Sequence, residues 1–528
     1  MFAPLGLLLL TLVQGPSPGP VPLYKDLGQH HHAISSKVPQ VQEYFDQGLR
    51  LVFGFNHGEA IRAFNEAARL DPNCAICYWG TALAYGPHVN APMDSAGGVA
   101  AWAAVQKAQA HLSTASPLEQ AYIRAVAKRY AAVPPANRAP LDSAYARAMA
   151  QVVRTHPKDL DAATLYAEAM MDLRPWNYWK QPSGEPYPGT LEIVSQLERV
   201  IAADPNHPGA CHYYIHAVEA VQPQKALACA ERVANLMPGD GHMVHMPAHI
   251  YIRLGRYADA IQSNVHAVHT DETYIEDQHP AGVYPLGYYP HNLHFLSFAA
   301  TMSGRSALAI DAARKLGEKT NLQAARQVPM LQPFVTFLDL TLVTFGRWDE
   351  VLKAPPPPAD IPHANLMAHY ARGVAFAATG KKPEAQAELG MVQKAAATVS
   401  EEDKPVANIA THALMGEIAA RSGDLNGAIA HFQEAKTIED GILYFEPPTW
   451  YYPIRHSLGA VLLKANRPAE ATQVYREDLK RFPENGWALF GLAQALRAQG
   501  KPAEAAKVDA RFKKAWQSAD VTLVASRF

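Results

Sequence analysis

Small residues recur in pairs twelve positions apart along this chain: Gly48 and Ala60, Gly373 and Ala385, Gly416 and Ala428, Gly459 and Ala471, Ala493 and Ala505. A small side chain lets two helices approach closely, so each pair marks the crossing of two antiparallel helices. The surrounding pattern has a period of 34 residues. Counted from Gly241 as position 1, Ala248 falls at 8, Tyr251 at 11, Gly255 at 15, Tyr257 at 17, Ala260 at 20 and Ala267 at 27. The same count places Phe64, Ala67 and Pro72 at 24, 27 and 32 of the first unit. It places Ala82 and Tyr85 at 8 and 11 of the second, and Ala226 and Pro238 at 20 and 32 of the unit before Gly241. Glycine at 15 ends the first helix of a pair, and proline near 32 ends the second. One such pair cannot bury its apolar face alone, so the pairs must stack.

This register resembles the tetratricopeptide repeat (TPR) superfamily over nearly the whole mature chain. The resemblance implies an all-α, right-handed superhelix (an α-solenoid) whose first helices line a concave groove at positions 2, 5, 9, 12 and 13. Residues 113–170 look helical but show the signature less cleanly. Two segments interrupt the array. Leu173–Thr190 is rich in Pro and Gly and carries Trp176, Tyr178, Trp179 and Tyr187; Thr270–Tyr289 is rich in Tyr and acids. Insertions of this length in a repeat array are functional or disordered, and their aromatic content favours ordered loops over the groove. Ala354–Ala359, with four prolines, is a stiff connector. The expected layout is a signal peptide at 1–22, an extended segment at 23–40, a first array at 41–353, a connector at 354–361 and a second array at 362–520.

Histidines keep step with the repeat. His242, His245 and His249 fall at groove positions 2, 5 and 9, and His291 and His294 at 2 and 5 of the next unit. His212, His216 and Glu219 stand at 6, 10 and 13 of the preceding unit, on one helical stripe. Equivalent positions on stacked helices lie about 10 Å apart, so imidazoles from neighbours can meet at one ion. The seven histidines and one carboxylate exceed a single set of three or four ligands, which implies two ions or orienting partners behind the ligands. Imidazole suits copper, zinc and iron. Glu219 is the candidate ligand or general base. The phrases Tyr44-Phe-Asp-Gln-Gly-Leu, Phe55-Asn-His57, Tyr78-Trp-Gly80, His212-Tyr-Tyr-Ile-His216, His245-Met-Pro-Ala-His249 and His291-Asn-Leu-His294 resemble a group of exported bacterial TPR proteins without an assigned activity. That resemblance implies a shared site and supplies no reaction.

Other histidines read differently. His57 takes position 17, usually aromatic, and reads as packing. His30, His31 and His32 are a capping segment folded back on the array or a loose metal-binding tract. His456 falls at groove position 5, four units after His294. Cys74-Ala-Ile-Cys77 precedes Tyr78 rather than a histidine, which excludes c-type haem attachment. The pair reads as packing, with a disulfide as the alternative.

Lys and Arg number 47 against 49 Asp and Glu, so charge gives no bias toward nucleic acid. The apolar run Leu5–Val13 suits a signal-peptide core and is too short to span a bilayer. No other run is long enough for a membrane span. No nucleophile elbow, phosphate loop, dinucleotide fingerprint or HExxH motif is present. The expectation is an extracytoplasmic (periplasmic or secreted) metalloprotein, a metal-dependent oxidoreductase or hydrolase. Copper is placed before iron or zinc, one or two ions are expected, and redox chemistry is favoured over hydrolysis. A small molecule or peptide would enter the groove. The alternative is a scaffold whose groove binds a partner peptide.

Overall fold

The computed structural model of the protein describes residues 21–528. The expected signal peptide lies outside the described residues except for Val21 and Pro22. Helices make up the fold, and no strand occurs among the described residues beyond two isolated bridges, His88–Ala91 and Trp179–Pro186. No described helix is long and apolar enough to cross a membrane. The chain divides into two compact units. One runs through Ile250 and includes Val265–Tyr289; the other comprises Tyr251–Asn264 and Pro290–Phe528.

In the first unit the helices pair as the register requires. Pro39–Phe53 lies against His57–Leu70, Ala75–Ala84 against Ser95–Ala110, Leu160–Met171 against Thr190–Ala203, and Pro208–Val218 against Leu227–Leu236. Gly48 and Gly80 contact the ring of Phe64 from two helices, and Phe64 is fully buried. Polar caps start the helices. Asn56, Asp94, Asp159 and Asp240 each accept a backbone N–H of the first turn, and Ser116 forms a capping box with Glu119. Cys211 and Cys229 form a disulfide that joins the last helical pair, and Cys74 and Cys77 form a second.

The first unit also closes on itself. The Pro39–Phe53 helix packs against Pro208–Val218, and the Phe53 carbonyl accepts from His212 Nδ1 at 2.5 Å, 159 residues away in sequence. His30, His32 and His207 converge on Asp161: His30 Nε2 stands 2.9 Å from Oδ1, His32 Nδ1 2.6 Å from Oδ2 and His207 Nε2 3.1 Å from Oδ1. Of the two readings of the histidine tract, the structure thus shows the folded-back segment.

Two expectations are corrected locally. Thr270–Tyr289 is not a loop throughout. A helix runs Tyr257–Gln278, and Tyr284–Tyr288 forms a single wide turn leading into the Tyr289–Met302 helix. The helix carrying His242, His245 and His249 is interrupted: Gly241–His245 ends at Met246, and Pro247–Arg253 begins beyond it. Pro247 lacks an N–H and cannot complete the helical ladder. Met246 nevertheless keeps helical angles.

In the second unit Pro362–Ala378 pairs with Lys382–Ala396, Lys404–Arg421 with Leu425–Gly441, Ile454–Lys464 with Pro468–Arg481, and Gly486–Ala498 with Pro502–Ala515. Position 15 carries left-handed backbone in the second unit: Gly304, Gly380, Gly423 and Gly500 have φ of 72°, 78°, 86° and 70°. In the first repeat that position is Phe55, with φ 60°. A left-handed conformation costs a residue with a Cβ roughly 1–2 kcal/mol, so something must hold Phe55 there.

Candidate metal centre

Five imidazoles form a closed circuit in the first unit. Ring centroids are 4.9 Å apart from His212 to His242, 5.9 Å from His242 to His245 and 4.8 Å from His245 to His249. The circuit returns through 5.3 Å from His249 to His216 and 5.0 Å from His216 to His212. All five rings are buried, none more than 4% exposed. The site is therefore enclosed, where an open groove face was expected.

The nitrogens decide what the circuit can hold. His212 Nδ1 donates to Phe53, which leaves its Nε2 with a lone pair. That Nε2 faces His242 Nε2 at 3.1 Å. Two ligands about 2.0–2.1 Å from one tetrahedral ion stand roughly 3.3 Å apart, so the spacing suits a shared cation. Glu219 receives His216 Nδ1 on one oxygen at 3.0 Å and His249 Nδ1 on the other at 2.6 Å. Both rings then present Nε2 away from the carboxylate, an arrangement that fixes tautomer and orientation in metal sites. His216 Nε2 and His242 Nδ1 have no hydrogen-bond partner among the described residues. Ligand atoms of His212, His216 and His242 lie within 4.8 Å of one another, as do those of His216, Glu219 and His249.

Burial, then the neighbouring imidazoles, keep His212 and His242 neutral, with their basicity held well below the ordinary value. Burial also lowers His216 against the pull of Glu219. Burial raises the Glu219 carboxyl, but the imidazoles of His249 and His216 outweigh it and hold it at about 2. Glu219 is an ionised carboxylate that accepts from both His216 and His249.

Aromatic side chains enclose the circuit. The Phe55 ring lies 4.4 Å from His212, 5.6 Å from His242 and 6.0 Å from His216. Trp176, from the Pro-rich insert, lies 5.1 Å from His216, and Tyr288, from the second insert, 4.5 Å from His242. Trp176 also has left-handed backbone, with φ 62°. These contacts account for the strained conformation of Phe55. Both inserts thus supply walls. The sequence reading missed Phe55, His88, which stacks on it at 4.5 Å, and the anchoring carboxylate Asp161. Phe55 was detectable as an aromatic at a glycine position.

The remaining histidines lie as follows. His57 packs beside His88, and burial first and Arg129 second lower it to about 4. His291 and His294 belong to the second unit; His291 lies against Phe295, and His294 is enclosed by Phe334 and Phe337. His456, also in the second unit, faces Asp478 at 3.1 Å.

The Asp161 cluster has similar spacing and different chemistry. One nitrogen of each of its three rings faces a carboxylate oxygen of Asp161 rather than another imidazole nitrogen. His207 Nδ1 accepts the Ala210 N–H, so its Nε2 carries the proton given to Asp161. Burial raises Asp161, but the bonds from His207, His30 and His32 hold it well below the usual range. This cluster is a tether.

The tetratricopeptide-repeat family model matches residues 462–508. The paired helices on either side of that match keep the same register, so the fold is that of a helical-pair repeat array with a tetratricopeptide-repeat match near its C-terminal end. Among solved structures it is similar to a human IFIT1 dimer with m7Gppp-AAAA, at 12% identity over 90% of each chain and a TM-score of 0.31. It is also similar to the APC/C hetero-tetramer Cut9–Hcn1, at 12% identity over 91% of this chain and 74% of the other, with a TM-score of 0.32. No curated protein sequence matches.

Proposed function

We propose that this protein is an extracytoplasmic TPR metalloprotein that holds a transition-metal ion in the enclosed circuit of His212, His216, His242, His245 and His249. The observation that carries the reading is the pair of Nε2 atoms of His212 and His242 facing each other at 3.1 Å in a buried site. One N–H···N hydrogen bond can join such a pair, but it leaves the buried His242 Nδ1 and His216 Nε2 without a partner among the described residues; a cation in the circuit can take lone pairs from several of these rings at once. Glu219 acts as the orienting carboxylate, a narrower role than ligand or general base. The reading does not require His291 or His294.

Nitrogen donors without thiolate suit copper, then iron or zinc, and all four cysteines are closed in disulfides. When bound, such an ion supplies redox or Lewis-acid chemistry. The protein's own contribution is a dry cage that fixes the donor nitrogens and excludes bulky substrates, which favours redox chemistry over hydrolysis of large molecules. Two closed disulfides suit an oxidising compartment outside the cytoplasm.

The test is elemental analysis with absorption and electron paramagnetic resonance spectra of protein purified without a histidine tag. At least one equivalent of a transition metal is expected, lost in His216→Ala and His242→Ala. Wild-type protein that stays metal-free after exposure to copper, iron and zinc would overturn the reading.

A scaffold reading also has one observation in its favour, in the second unit: its repeats hold a non-helical segment of the chain against their groove positions.

A further inference from the structure

Beyond the last helix, residues 521–528 turn back over the C-terminal repeats. The residues they meet stand at the groove positions of the register: Trp487 at 2, His456 at 5, Glu417 and Gln494 at 9, and Arg421 at 13. Arg527 forms an ion pair with Glu417. Ser526 Oγ receives the Tyr475 hydroxyl at 2.7 Å and donates to the His456 carbonyl at 2.8 Å. The Phe528 ring meets Trp487 edge-on at 5.7 Å. Main-chain carbonyls of the segment are read as well: Gln494 donates to Val524 at 3.3 Å and Arg421 to Phe528 at 2.9 Å.

The cleft is matched to this occupant. Glu417 is 5% exposed; Arg421 on its own helix stands 3.9 Å away, and Arg527 makes the closer ion pair, which matters because a buried carboxylate needs close cationic partners. Ser526 is 1% exposed and links two elements of the cleft wall. A cavity of about 40 Å³ remains beside the segment, bordered by Trp348, Tyr370, Tyr451 and Phe528, so the cleft is not completely filled.

We propose that the inner face of the C-terminal repeats is a peptide site for a bent apolar–Ser–Arg–aromatic segment, and that residues 524–528 occupy it in cis. A segment of the same chemistry on another protein competes for it. The site is independent of the histidine circuit, and its test does not depend on metal.

The probe is a fluorescein-labelled peptide of residues 522–528, titrated by anisotropy against the full chain and against a chain ending at Leu523. The shortened chain keeps Asp520, which caps the Ser306–Lys319 helix, and its helicity is checked by circular dichroism. It is expected to bind the peptide at least about tenfold more tightly than the full chain does. Replacing Arg527 by Ala in the peptide, or Glu417→Gln in the shortened chain, is expected to weaken binding by about tenfold or more, since each removes one partner of a desolvated pair. A folded shortened chain that ignores the peptide, or binds the Arg527→Ala peptide equally well, overturns the proposal. Should the shortened chain not fold, full-length Arg527→Ala replaces it. That protein is expected to bind the wild-type peptide more tightly than wild type does, and no gain overturns the proposal.

Discussion

His212 and His242 aim their Nε2 atoms at each other across 3.1 Å, although they come from helices 30 residues apart in sequence. Two groups sharing one ion must show coupled mutational effects. His212→Ala and His242→Ala are each expected to lower metal affinity by about tenfold or more. The double variant should lose less than the sum of the two free-energy changes, because the first substitution already removes the shared contact. Chelator competition on the four proteins of the cycle measures this; strict additivity would mean separate sites.

Glu219→Gln tests the orienting role. An amide offers one acceptor oxygen where the carboxylate offers two, so one of His216 and His249 loses its Nδ1 partner. Metal affinity is expected to fall about 10–100-fold, the usual effect of losing such a partner, with the far-ultraviolet spectrum unchanged. Unchanged affinity would remove Glu219 from the site.

Two glycines should respond oppositely to alanine. A Cβ at Gly48 would stand 2.7 Å from the Phe64 ring, against which Gly80 also packs. Overpacking there is expected to cost roughly 1–3 kcal/mol, more than the gain of about 1 kcal/mol in helix propensity. Gly390, exposed on the Lys382–Ala396 helix, has nothing within 4 Å of such a Cβ. Gly390→Ala is expected to stabilise by about 0.5–1 kcal/mol. Thermal or urea unfolding distinguishes the two.

Acid should destabilise the second unit through His294. Its ring is 7% exposed, and burial lowers it to about 3. A histidine depressed in the folded state gives stability that is present above its unfolded value near 6.5 and is lost as pH falls toward 3. Between pH 6.5 and 4 the loss is expected to be roughly 2–4 kcal/mol. Urea midpoints across that range should fall more steeply for wild type than for His294→Leu; equal slopes would show that His294 is not the group responsible.

The repeat was legible because its signals are local: small residues at 8 and 20, glycine at 15, proline at 32. The same register brought out the histidines at 242, 245 and 249. The His207–Asp161 and Phe53–His212 bonds were not legible, because they join residues 46 and 159 positions apart that no period relates. His212 and His216 stand at 6 and 10, off the groove positions of the register, yet His212 makes the contact that defines the circuit. Glu219 was picked out by its stripe, but its role depends on which nitrogen of each ring faces it, and spacing carries no such information.

Stacked repeats ordinarily behave as a one-dimensional chain in which each unit feels only its neighbours, so the ends fray first. The first unit departs from that rule, because its opening helix is joined to the Pro208–Val218 helix through Phe53 and His212, and the segment before that opening helix to Asp161. With beginning and end joined, no terminal repeat is free to peel away. Native-state hydrogen exchange in the Pro39–Phe53 helix should therefore match that of Pro208–Val218, the two opening together as one cooperative block.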